Sequence, residues 1–203
     1  MIRVVRMDPP AVPPLLHQHA AENLRFIRDT MARATAFTAV PGVGGVLMGV
    51  VAFVATTVAG PPRDTRAWLE VWLAAAGVAA ATGLFAILRK TRRPDMPLRG
   101  PVARRFALAF MPALIVGAVL TAVFVQNHLA ARLPGCRLLC YGAAVTSGGA
   151  FSVRPVPFMG AAFIALGVLA FVAPAAWGHF FMAAGFGALH VGFGIAIARN
   201  YGG

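Results

Sequence analysis

Acid is what this chain of 203 residues has least of: six Asp and Glu stand against 18 Lys and Arg, for a net charge of +12. No carboxylate falls in the middle of an apolar stretch, which argues against a transporter that couples to protons or cations through buried acids. Only two cysteines are present, Cys136 and Cys140. Four residues apart on a helix they share a face, where the geometry for a disulfide is poor and two thiols make an incomplete metal shell. They read as small apolar packing residues. Walker, Rossmann, HExxH and nucleophile-elbow patterns are all missing, and the hydroxyls of Thr146, Ser147 and Ser152 have no acid–His pair to activate them, so an enzyme is not expected. The N-terminal run to Pro14 lacks the apolar core of a signal peptide, so the first apolar span is expected to direct insertion and leave the N-terminus in the cytoplasm.

What the chain has in abundance is apolar residues, 59% of the sequence, with only 12% charged. A soluble domain carries about a quarter charged residues. The basic residues are not spread over a polar surface with interleaved aromatics, as nucleic acid would need. They sit beside apolar runs. Arg3, Arg6, Arg25, Arg28 and Arg33 precede the first run; Arg89, Lys90, Arg92, Arg93, Arg99, Arg104 and Arg105 crowd one loop; Arg154 and Arg199 follow. These alternate with Arg63, Arg66, Arg132 and Arg137. Alternation of this kind marks cytoplasmic loops, and anionic lipid headgroups are the expected partners of the richer set.

Six spans are expected, at about 39–60, 67–88, 106–127, 138–153, 156–173 and 175–198. The fourth is short and rich in Gly, but counting it places the seven-charge loop, Arg154 and Arg199 on the side of the N-terminus. The expected architecture is an all-α integral membrane protein: residues 39–203 form six transmembrane helices in three hairpins, with both termini cytoplasmic. Residues 1–38 precede them as an extended Pro-rich lead and an amphipathic helix between Leu15 and Phe37. Leu16, Leu24, Ile27, Met31 and Ala34 lie on one side of that helix, and Arg25, Arg28, Asp29 and Arg33 on the other, which suits the cytoplasmic interface. The stretch from Gly42 to Gly49 aligns without gaps on Gly160 to Gly167, hinting that the first and third hairpins are parallel repeats.

Lipid is as apolar as leucine, so helices associate through close packing and a few hydrogen bonds. Small residues at four-residue spacing predict the packing faces: Gly45 and Gly49 in the first span, Ala75, Ala79 and Gly83 in the second, and Ala184, Ala188, Gly192 and Ala196 in the sixth. Bulky residues such as Phe53, Phe85, Phe110 and Phe171 are expected to face lipid or fill gaps. Trp68, Trp72 and Trp177 read as an aromatic belt at the non-cytoplasmic rim. Glu70 is expected to pair with Arg66 on one helix face. His17 and His19 with Glu22 read as an exposed polar patch.

His190 is the one ionisable residue near the middle of a span, with His179 eleven residues earlier on the same face. Its first expectation is packing with one interhelical hydrogen bond. A pigment or haem held by His190 is the cofactor the sequence leaves open; bis-imidazole haem ligation lacks a second histidine at matching depth, since His128 sits at a span end.

Asn23 to Met31 with Phe37 to Gly42, and Tyr141 to Pro157, resemble uncharacterised bacterial six-span inner-membrane proteins. The stretch Ala165 to Pro174 is loosely similar to HdeD-type six-span proteins linked to acid stress. The resemblance implies a bacterial inner (cytoplasmic) membrane location and no catalytic residues. The leading functional expectation is a non-enzymatic structural or accessory protein that packs against copies of itself or a larger membrane complex. The alternatives are a small transporter or channel for a neutral solute, and a pigment- or haem-holding subunit.

Overall fold

The computed structural model describes residues 19, 21–25, 27, 40, 42–61, 64–90 and 101–201. The chain divides into two units, Met1–Ala36 and Phe37–Gly203. In the first, the described residues are helical and exposed, with His19 Nδ1 3.7 Å from Glu22 Oε2. The remainder of the expected amphipathic helix, and His17, lie outside the described residues.

The second unit holds six helices: α1 (Gly42–Ala59), α2 (Thr65–Lys90), α3 (Pro101–Gln126), α4 (Leu133–Gly149), α5 (Pro155–Val172) and α6 (Ala175–Tyr201). No strand occurs among the described residues. All but α4 are long and apolar enough to cross a membrane, so this is a multi-pass α-helical membrane protein by length and composition. The fourth helix begins five residues earlier than its expected start at 138, because Pro134 suits the first turn of a helix. Its 17 residues rise about 25 Å.

Local chemistry sets the helix ends. Gly60 adopts φ +57° after α1 and its N–H donates to the Thr56 carbonyl, the left-handed stop that glycine makes without strain. Asp64 then caps α2, its Oδ1 accepting from the Arg66 N–H at 2.8 Å. Arg66 Nε donates to Glu70 Oε1 at 3.0 Å, the expected pair, on an exposed face. Beyond α3, Arg132 donates from Nη1 to the Phe171 carbonyl near the end of α5, fastening the α3–α4 turn to the α5 C-terminus.

Glycine governs the tightest contacts. A Cβ at Gly42 would strike the Ala198 backbone, and one at Gly49 would lie 2.7 Å from the Gly187 carbonyl oxygen, so α1 runs antiparallel to α6 at close range. On α5, a Cβ at Gly160 would strike Thr146, and one at Gly167 would lie 2.9 Å from the Leu139 nitrogen, which sets α5 equally close against α4. The aligned glycine runs at 42–49 and 160–167 therefore each serve a backbone-to-backbone contact. Phe163, Leu133, Leu138 and Met182 fill the core beside these contacts, each at 2% exposure or below.

The predicted packing residues divide. Gly45 and Gly49 lie against α6, and Gly83 lies against Met48 of α1. Ala75 packs on the core, while Ala75 and Ala79 line a cavity described below. On α6 the expectation needs correcting. Ala188 and Gly192 are exposed, a Cβ at Gly192 would meet nothing, and Ala184 and Ala196 are only half-buried. The face that packs runs through Gly185, Gly187, His190 and Gly194. Ala188 and Gly192 stand two residues, about 200° of turn, before His190 and Gly194, and so on the opposite side of α6, whose Ala183–Leu189 stretch is π-helical.

The aromatic belt also needs correcting. Trp177 is exposed, but Trp68 and Trp72 are 3% and 4% exposed. They turn inward because a cation waits there: the Arg137 guanidinium lies 5.7 Å from the Trp68 ring centre. Among the bulky residues, Phe85 is exposed, Phe53 lies beside Gly187, and Phe171 lies beside Gly135.

Candidate functional site

Neighbouring helices of the second unit pack on one another except at one place. Helix α2 leans on α1 and α3 leans on α4, while α2 and α3 hardly touch. Between them lies a half-enclosed cavity of about 400 Å³. Its walls are mostly carbon: Ala75, Ala76, Ala79 and Ala80 from α2, Leu114, Gly117 and Ala118 from α3, and Met48 and Val51 from α1. Small side chains on α2 explain the room, since the alanines that were expected to seat another helix have no helix of comparable closeness opposite them.

The floor of the cavity is polar. Tyr141 on α4 and His190 on α6 both line it, and the phenolic oxygen lies 2.8 Å from His190 Nε2. His190 Nδ1 is turned toward its own helix, near the carbonyls of Gly185 and Phe186, without a well-formed bond. Carbonyl oxygens only accept, so Nδ1 is assigned the ring proton and Nε2 accepts from the Tyr141 hydroxyl. The single interhelical hydrogen bond expected of His190 is thus present, and its partner is Tyr141.

Aromatic rings hold this pair in place. Tyr141 meets Phe163 edge-on at 4.9 Å between ring centres and Phe186 at 5.0 Å. His190 meets Phe163 at 5.4 Å, and Phe110 closes the far side of Tyr141 at 6.3 Å. Gly185, on the π-helical stretch, makes the space: a Cβ there would strike Leu138 and lie 3.1 Å from the Phe163 ring. Within this box both side chains keep one orientation at the middle of their helices.

At one end of the cavity stands Arg137, one turn into α4, with Trp72 and Thr121 also lining the wall. Thr121 donates its hydroxyl to the Gly117 carbonyl, as threonines in apolar helices commonly do. Arg137 has no carboxylate partner among the described residues. Its positive charge is met by the Trp68 face. Cys136 and Cys140 are free thiols; the first is buried and the second lines the cavity against Gly117.

His179 does not join the site. Its ring lies tilted against Phe180, with 3.9 Å between ring centres. No group of three or more metal-ligating side chains occurs among the described residues.

Sequence reasoning located His190 but missed Tyr141 and Arg137. A buried imidazole in a span needs a polar partner at its own depth on another helix, and Tyr141 is one of only two tyrosines in the chain. Arg137 was hidden by starting the fourth span at 138. No known family, curated protein or solved structure matches this chain.

Proposed function

We propose that this protein is a non-enzymatic multi-pass membrane protein that receives a mostly apolar small molecule from the bilayer, as a carrier or binding protein. One observation carries the reading: a carbon-walled cavity between two helices that leave each other unpacked, with a fixed polar pair at its floor. Its volume falls in the range of about 300–1,000 Å³ common to small-molecule sites. The alternative is an accessory subunit joined through small-residue faces: Gly45, Gly49 and Gly83 are occupied within the molecule, which leaves the exposed Ala188 and Gly192 of α6 for that role.

In this reading all six helices cross a bacterial inner membrane, α4 through a locally thinned bilayer, with the amphipathic segment at the cytoplasmic interface. Anionic lipids meet the basic loops, and Arg137 lies toward the non-cytoplasmic rim. Reporter fusions after Arg93 should read cytoplasmic and those near Arg132 external; the reverse would overturn this topology.

The binding reading is tested by extraction from native membranes in mild detergent, followed by mass analysis of what the protein retains. A molecule held in stoichiometric amount by the unaltered protein and lost from Ala79→Leu, which fills the cavity, is the expected result. Retention of the same molecule by Ala79→Leu would place binding elsewhere.

A further inference from the structure

The cavity binds carbon nearly everywhere, and the exception has a single sign. Among the described residues, Arg137 is the one charged side chain that lines it. A guanidinium is always protonated and only donates. Beside a carbon-walled cavity near the end of the bundle, a cation is best matched by an anion or an aromatic face. Trp68 supplies the aromatic face. The described residues supply no carboxylate. What remains unmet is the anion.

Position adds a second constraint. Arg137 stands one turn into α4, near the end of the bundle where α2 begins and α3 finishes. The carbon walls continue from there past mid-membrane: from Trp72 to Ala80 along α2 is about 12 Å. A ligand that satisfies both features has an anionic head at the rim and an apolar chain running inward past Tyr141. Volume sets the third limit. At about 30 Å³ for a group the size of a water molecule, roughly a dozen methylenes fill about 400 Å³. That is room for one alkyl chain within the walls.

Resting on the cavity reading above, we infer that the occupant is a single-chain amphiphile with a monoanionic head, a long-chain carboxylate, its head on Arg137 and its chain between α2 and α3.

The test uses the full chain in nanodiscs of zwitterionic lipid, with Trp177→Phe so that Trp68 and Trp72 report. The probe is 2-bromododecanoate, whose bromine, beside the head, quenches nearby tryptophan. Saturable quenching is expected, with 2-bromododecanol at equal bilayer mole fraction binding at least about tenfold more weakly, the lower end for losing a charge-assisted hydrogen bond. Arg137→Gln should weaken the acid by a similar factor, while Arg137→Lys retains most of the affinity. Equal binding of acid and alcohol overturns the inference, as does an unaffected Arg137→Gln. Should Arg137→Gln fail to assemble, the acid–alcohol comparison on the Arg137 protein decides alone. Where both probes bind equally and Ala79→Leu abolishes both, the cavity reading stands and the anionic head falls. If neither quenches saturably, both fall. Phosphatidylglycerol, with two chains, should not compete; equal competition would overturn the single-chain claim.

Discussion

Where α1 lies on α6, a methyl group added at Gly49 would sit 2.7 Å from the Gly187 carbonyl; where α2 faces α3, Ala76 and Ala79 line a cavity of about 400 Å³. Both regions are rich in small residues, yet the outcome is opposite. In the first, glycine brings backbones together and leaves no room for a side chain. In the second, alanine keeps the walls thin while Trp72 and Phe110, which also line the cavity, supply bulk. Small residues thus serve two ends in one bundle: adhesion on α1, α5 and α6, and space on α2.

The sharpest way to break this contrast is to enlarge a residue on each side. Gly160→Val should destabilise the protein by several kcal/mol, on the order of 3 or more, since the added Cβ meets Thr146 backbone and side chain that cannot both move aside. Thermal unfolding in detergent, followed by loss of the monodisperse species, reads this directly. A Gly160→Val protein as stable as its parent would mean the α4–α5 contact is looser than described.

Next in size is the polar pair. His190→Leu leaves the Tyr141 hydroxyl without its partner and should cost about 1–3 kcal/mol. In a double-mutant cycle with Tyr141→Phe, the coupling should be near 0.6 kcal/mol, the usual scale between membrane helices. Zero coupling would show that the two groups do not bond.

Ala79→Leu is expected to change stability by less than about 1 kcal/mol in either direction, because the new atoms enter existing space. A loss as large as that of Gly160→Val would erase the distinction between the two regions. Smallest of all is Glu70→Gln. Its partner Arg66 is 89% exposed, and an exposed pair of this spacing contributes about 0.3–0.5 kcal/mol. A chemical denaturation series should barely separate this variant from its parent.

Much of the fold was legible because hydropathy and charge act over long stretches. Five spans could be read from apolar runs near 20 residues, while the helix starts that Asp64 and Pro134 set fell before the ranges expected from hydropathy alone. The packing rows were legible only in part. An alanine every fourth residue looks alike whether it meets a helix, as Gly49 does, or borders a cavity, as Ala79 does. On α6 the regular spacing misled because it gives a row without saying which side of the helix faces the bundle, and no residue of Ala183–Leu189 announces its π-helical turn. The site was half legible: His190 is conspicuous in its span, but Tyr141 and Arg137 gain meaning only from the helices brought beside them.

The extra width of α6 has a consequence for how this chain tolerates change in length. A π-helical turn takes up more residues than an α-helical turn of the same rise, so Ala183–Leu189 behaves as stored slack within an otherwise taut helix. Losing a single residue there would relax the stretch toward an ordinary α-helix and leave Gly194 free to stay in its contact with α1. Met182, ahead of the stretch, would also keep its place in the core, because the wider turn had taken up the lost residue. Only residues inside the stretch, Gly185 and Gly187 among them, would shift against Phe163 and Phe53. The two ends of α6 are thus insulated from a change of length between them, with the buffer set by seven residues.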